Sequence, residues 1–139
     1  MPDRNGILYA DSSALVKLAV NEAETDALRE ELEQWQDVAT SVITEIELAR
    51  AVARVRASGG LALDEIGVLA ITWAALEIEL TPEIRESASS LEPPWLKAFD
   101  CVHVASALSL GDDLAAVLTY DKQMQRAAAA ARLVVLAPA

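Results

Sequence analysis

Short apolar runs at 7–9, 37–41, 76–80, 116–120 and 133–136 alternate with stretches of helical periodicity, and no other feature constrains the fold as strongly. Strands separated by long helical stretches are joined by crossovers rather than hairpins, so they pair in parallel with the helices covering the faces. The fold class expected is therefore α/β with a mainly parallel sheet.

The intervening helices are expected at 13–20, 24–35, 42–57, 63–76, from Thr81 onward, 96–110 and 122–131. Their ends carry local signals. Thr81 before Pro82 is a cap followed by proline at the first helical position, and the glycines of "SGG" at 58–60 stop the helix before them. In "VITEIELARAVARVRA" (42–57) apolar residues at 42, 43, 46, 49, 52 and 53 form a helical stripe expected to face the core. Trp73 reads as core. "EPPW" (92–95) is the strongest break, yet no linker or repeat divides the chain, so residues 1–139 are expected to form a single domain.

Hydrophobic residues make up 53% of the chain, but no uncharged run is long enough to span a bilayer. The first residues have no apolar core of signal-peptide length, and the lone Cys101 offers no internal disulfide, so a cytoplasmic protein is expected. A net charge of −11, from 22 acids against 11 Lys and Arg, excludes broad non-specific attraction to nucleic acid. A nucleic-acid substrate would have to be held by a local basic rim, with Lys17, Arg50, Arg54, Lys97, Lys122 and Arg126 as candidates. The acidic stretch 21–37 reads as a solvated helix face.

The distribution of acids points to chemistry. In "ILYADSSALVKL" (7–18), Asp11 directly follows an apolar strand; helix capping is the alternative reading of it, but Ser12 and Ser13 offer caps as well and one would suffice. Asp121 follows the fourth strand in "LTYDKQ" in the same way. Asp100 lies in the first turn of the otherwise apolar "LKAFDCVHVASAL", where a buried carboxylate needs compensation. Glu45 and Glu47 lie about 200° apart on their helix, so only one can face a site. Glu47 is the choice, and a surface ion pair with Arg50 is its alternative. Asp11, Glu47, Asp100 and Asp121 converging at one sheet edge could not all stay ionised without positive charge. An oxygen-only donor set favours Mg²⁺ or Mn²⁺, and such sites serve phosphodiester hydrolysis. Ser12 and Thr119 would orient the ligands.

The segments "YADSSALVKL", "TSVITEIELARA", "AFDCVHVASAL" and "LTYDKQM" together resemble the PIN domain, specifically the VapC-type toxins of bacterial toxin–antitoxin pairs. The resemblance covers nearly the whole chain. It implies a three-layer α/β/α sandwich, a Mg²⁺- or Mn²⁺-dependent endoribonuclease acting on RNA, frequent homodimers and a cognate VapB-like antitoxin. By position it gives the acidic roles to Asp11, Glu47, Asp100 and Asp121, with Ser12, Ser41 and Thr119 as polar neighbours. A receiver-like signalling domain would need a phosphoacceptor Asp after a central strand, which "DVATS" and "LEIEL" do not offer. An aspartyl-phosphate phosphatase would want Asp where Ser13 stands. A non-catalytic binding module of the same fold is the remaining alternative. His103 reads as a satisfied core residue and Cys101 as structural.

Overall fold

The computed structural model describes residues 2–60, 63–64, 67 and 75–139. Five strands form one sheet: β1 (Ile7–Ala10), β2 (Asp37–Ser41), β3 (Leu76–Ile78), β4 (Leu114–Leu118) and β5 (Val135–Leu136). Their order is β3-β2-β1-β4-β5, and each neighbouring pair is parallel. The described helices are α1 (Ser12–Ala19), α2 (Thr25–Leu32), α3 (Ile43–Ala57), α4 (Pro82–Ser89), α5 (Ala98–Leu108) and α6 (Lys122–Ala130).

Side chains of a strand alternate between faces, and the two central strands feed two separate cores. Leu8 and Ala10 of β1, with Ala116 and Leu118 of β4, pack against Ala14, Leu15 and Ala19 of α1, Leu28 of α2 and Val52 of α3. Tyr9 and Val117 point the other way, onto Cys101, Val104 and Ala107 of α5 and Met124, Ala127 and Ala128 of α6. The result is a three-layer α/β/α sandwich. Its layering follows from strand order: the chain steps outward from β1 through β2 to β3, then returns past β1 to β4 and β5. Right-handed crossovers made in opposite directions place their helices on opposite faces. Each fully buried Leu, such as Leu8, Leu28 or Leu118, contributes about 1.5–3 kcal/mol by leaving water.

Several boundaries differ from the sequence expectation. The fourth strand lies at Leu114–Leu118, not 116–120, because Leu114 already pairs with Ile7 and the chain turns away after Leu118 to reach α6. The helix expected over 63–76, Trp73 included, falls largely outside the described residues. At its edges, Leu63 forms an isolated antiparallel bridge with Val20, and Leu76 opens β3. The stripe expected to bury one side of α3 is split: Ile43 and Val52 are buried with Thr44, whereas Ile46 is 58% exposed and Ala49 and Ala53 face solvent. Residues 44, 48 and 52, spaced by four, form the inward row, and that rotates 46, 49 and 53 outward.

The acidic stretch is not all solvated. Lys17, buried on α1, is held by Glu22 and by Glu24 (3.1 Å), and its ammonium lies 4.7 Å from the Tyr120 ring centroid. Burial pushes its pKa down, but the two carboxylates outweigh that and leave it raised. Lys17 is therefore consumed by structure and leaves the list of rim candidates. Glu31 likewise accepts from Arg4 (3.1 Å) and from the Trp35 indole (2.9 Å), tying the N-terminal residues to α2. Among the described residues, no helix is long and apolar enough to cross a membrane.

Candidate active site

The strand order reverses between β1 and β4, and in open parallel sheets the crevice for ligands opens beyond the carboxyl ends of the strands at that point. The residues just past those ends are Asp11 and Thr119 to Asp121. Asp11 is only 3% exposed. Its Oδ1 accepts from Ser13 Oγ (2.7 Å) and the Ala14 amide (3.2 Å), and its Oδ2 accepts from Thr119 Oγ1 (2.6 Å). Asp11 thus caps α1 itself, in place of Ser12 or Ser13, while remaining at the crevice. Asp121 caps α6 in the same way, with Oδ1 accepting from the amides of Gln123 (2.8 Å) and Met124 (3.0 Å). Capping and a site role are not exclusive here: each cap occupies one oxygen with backbone donors and leaves carboxylate capacity at the crevice.

Glu47 and Asp100 come from opposite layers of the sandwich. Glu47 on α3 places Oε1 2.6 Å from His103 Nε2 on α5. The alternative ion pair with Arg50 is not formed among the described residues. Glu45 is exposed and lines a different cavity, with Thr44, Leu48 and Glu77. Asp100, half-buried in the first turn of α5, has no hydrogen-bond or ion-pair partner among the described residues. Burial raises its pKa first, and Asp121 raises it next, with Asp11 and Glu47 adding further increments. Asp11 is also raised, by burial, against the lowering influence of the hydrogen bonds from Thr119, Ser13 and the Ala14 amide. Asp100 therefore lies within electrostatic reach of the other three acids. No Lys or Arg forms an ion pair with any of them among the described residues. Nor, among those residues, do three His, Cys, Asp or Glu side chains already stand as a finished metal cage.

The polar neighbours differ in part from those expected. Thr119 is fully buried and donates to Asp11. Ser41, buried at the end of β2, accepts the Ile43 amide (3.2 Å) at the start of α3. Among the described residues Ser12 makes no hydrogen bond to the acids; Ser13 does, and it also accepts the Tyr120 amide (3.0 Å). Which serine turns inward depends on the phase of the first helical turn, and only the register against Thr119 sets that. His103 is buried as expected, yet its satisfaction comes from Glu47 and from the Tyr9 hydroxyl (2.6 Å from Nδ1). The sequence signal for it was the i, i+3 spacing from Asp100. The Cys101 thiol lies 3.6 Å from the Leu96 carbonyl, and burial followed by Asp100 pushes its pKa up, so it is not an activated nucleophile.

The raised pKa values fix a sign for stability. A carboxyl that holds its proton more tightly when folded favours folding below its ordinary value. That contribution is lost as pH rises through the raised one. At neutral pH the ionised Asp100 is therefore a cost. Asp100→Asn should melt at a higher temperature than the wild type at pH 7 without divalent cations, and the difference should shrink as the pH falls through the carboxylate range. Melting curves across that range would check it; a gap independent of pH would mean that charge crowding is not its source.

An open parallel sheet with acids gathered at its switch point defines an α/β sandwich built around an acidic crevice. The chain belongs to the PIN domain family, whose profile matches residues 8–130. It is 36% identical over 137 residues to Ribonuclease VapC35 of Mycobacterium tuberculosis, covering 95% of this chain and 97% of the relative. Ribonuclease VapC46 of the same organism is 36% identical over 135 residues (94% and 97%), and Ribonuclease VapC47 is 32% identical over 127 residues (85% and 87%).

Proposed function

We propose that this chain is a metal-dependent endoribonuclease, the toxin of a toxin–antitoxin pair, with Mg²⁺ or Mn²⁺ held by Asp11, Glu47, Asp100 and Asp121. The observation that carries the reading is Asp100: a half-buried carboxylate without a partner among the described residues, destabilised by burial and by three other acids. The names of the relatives, all VapC ribonucleases, support RNA as the substrate and a VapB-like antitoxin as the partner.

The donor chemistry fits a hard divalent cation. The available donors are carboxylate oxygens, both His103 nitrogens are engaged, and the Cys101 sulfur faces a backbone carbonyl. When bound, such a cation would acidify a water and offset the charge that develops on the phosphate and the departing oxygen. The chain's own groups set the frame for this. Thr119 and Ser13 hold both oxygens of Asp11, His103 holds one oxygen of Glu47, and the helix-capping amides hold Asp121. Asp100 remains the adjustable member. Arg50, Lys97, Lys122 and Arg126 are exposed and supply the local rim for RNA phosphates that a chain of net charge −11 needs.

An antitoxin segment would silence the same site most directly by setting an Arg fork against Asp100 and Asp11, which no described basic group of the chain pairs with. Self-association into a homodimer is part of the same reading.

An RNA cleavage assay tests the proposal. Cleavage should require Mg²⁺ or Mn²⁺, stop with excess chelator and return when the metal is restored. Glu47→Gln should lose at least about tenfold more activity than Glu45→Gln, as expected when only one of the pair reaches the metal. Cleavage undiminished by chelator would overturn the metal dependence; a dead Glu45 variant beside an active Glu47 variant would move the site to the other face of α3.

A further inference from the structure

One chain of hydrogen bonds runs from the sheet to the edge of the site. Tyr9 on β1 is fully buried, and its hydroxyl lies 2.6 Å from His103 Nδ1. His103, 1% exposed, places Nε2 2.6 Å from Glu47 Oε1. The two rings meet edge to face, with centroids 5.9 Å apart at 69°. Three layers of the sandwich each contribute one member: the sheet, α5 and α3.

The proton positions follow from what each group can do. An ionised carboxylate only accepts, so the proton between Glu47 and the ring belongs on Nε2. A neutral ring with its proton there offers Nδ1 as an acceptor, and the Tyr9 hydroxyl is the donor it meets. An ordinary phenol titrates at about 10, so at neutral pH the hydroxyl keeps that proton. The bond at one ring nitrogen selects the tautomer at the other.

We propose that Tyr9 and His103 are positioning residues for Glu47: Tyr9 holds His103 as its Nε2–H tautomer, and His103 fixes one carboxylate oxygen so that the other faces the metal site. The inference rests on the metal-dependent nuclease reading. Without the ring, Glu47 is a long side chain on a partly exposed helix face, free to sample rotamers that point away from Asp11 and Asp100. A neighbour that orients a ligating carboxylate typically strengthens metal binding without touching the metal.

The test is Mn²⁺ affinity, measured by titration calorimetry on the purified chain, alongside melting temperature and cleavage kinetics. Tyr9→Phe keeps the buried ring and removes only the hydroxyl. His103→Leu removes both hydrogen bonds, and His103→Gln returns an N–H donor near the Nε2 position. Tyr9→Phe and His103→Leu should each weaken Mn²⁺ binding about 10–100-fold, with His103→Gln recovering most of the loss. A purely structural role would lower the melting temperature in all three and show no such rescue. Should His103→Leu fail to fold, Tyr9→Phe decides alone. Mn²⁺ affinities within about twofold of wild type in Tyr9→Phe and His103→Leu, with Asp11→Asn weakened, would overturn the inference while leaving the nuclease reading intact. A Glu47→Gln variant that binds Mn²⁺ as tightly as the wild type would overturn it equally. A wild-type chain that binds no Mn²⁺ and cuts no RNA would overturn both.

Discussion

Asp11→Asn is expected to cut RNA cleavage to below about 1% of wild type, since even outer-shell changes at metal sites cost about 10–100-fold, while leaving the fold intact. The substitution is nearly isosteric, and Asn caps helices as well as Asp does, so the Ala14 amide keeps its acceptor. Ser13 can still donate to the amide oxygen, and the Thr119 hydroxyl can accept from the new NH₂ instead of donating to Oδ2. What disappears is a charge on a group only 3% exposed, whose pKa burial has already raised. The melting temperature without metal should therefore equal or exceed that of the wild type at neutral pH. Activity and melting measured on the same preparation separate the two roles of Asp11. Full activity would remove it from the mechanism, and a large fall in melting temperature would mean that capping is its main task.

Leu118→Ala should produce the largest loss of stability. Leu118 is fully buried at the end of β4, pairs in register with Ala10 and Leu136, and packs in the core beneath α1 and α2. Truncating a buried leucine costs about 2–5 kcal/mol, the spread reflecting how far the site collapses around the cavity. In a domain of this size that lowers the melting temperature on the order of 10 °C. Its carbonyl accepts the Asp11 amide (3.3 Å), and Thr119 follows it directly, so cleavage should fall too as the two strand ends loosen. Ile46→Ala is the control: Ile46 is 58% exposed, and a surface change of this kind stays within about 0.5 kcal/mol. A loss at Leu118 below about 1 kcal/mol would show that neighbouring side chains refill the space.

Much of the fold is legible in the chain because its signals are local. The run "DVATS" is a strand at 37–41, where it was expected, since β-compatible residues are bounded there by polar turns. Thr81 caps α4, accepting the Ile84 amide, with Pro82 in the first turn. The acids were legible for a related reason. Each stands where a strand ends or on a helix whose phase can be counted, and sequence periodicity marks both. Interactions between distant residues leave no such trace. The bond from His103 to Glu47 spans 56 positions and that to Tyr9 spans 94, so a lone histidine on an apolar helix read only as core. Lys17 read as a surface cation, and Ile46 as a buried residue, because periodicity gives a helix its faces without saying which one the rest of the fold will cover.

By itself, the sequence determined the alternation of strands and helices, the parallel class, and an ordered set of acids at strand ends and on helix faces. These depend on side-chain period, capping and turn chemistry within a few residues. The tertiary structure decided the strand order β3-β2-β1-β4-β5 and therefore the point of reversal beside β1. It also decided that Ser13, rather than Ser12, meets Asp11, and that Asp100 stands among three other acids with no partner among the described residues. Those outcomes depend on which layers meet, and close packing between segments far apart in the chain settles that only once the whole sandwich has formed.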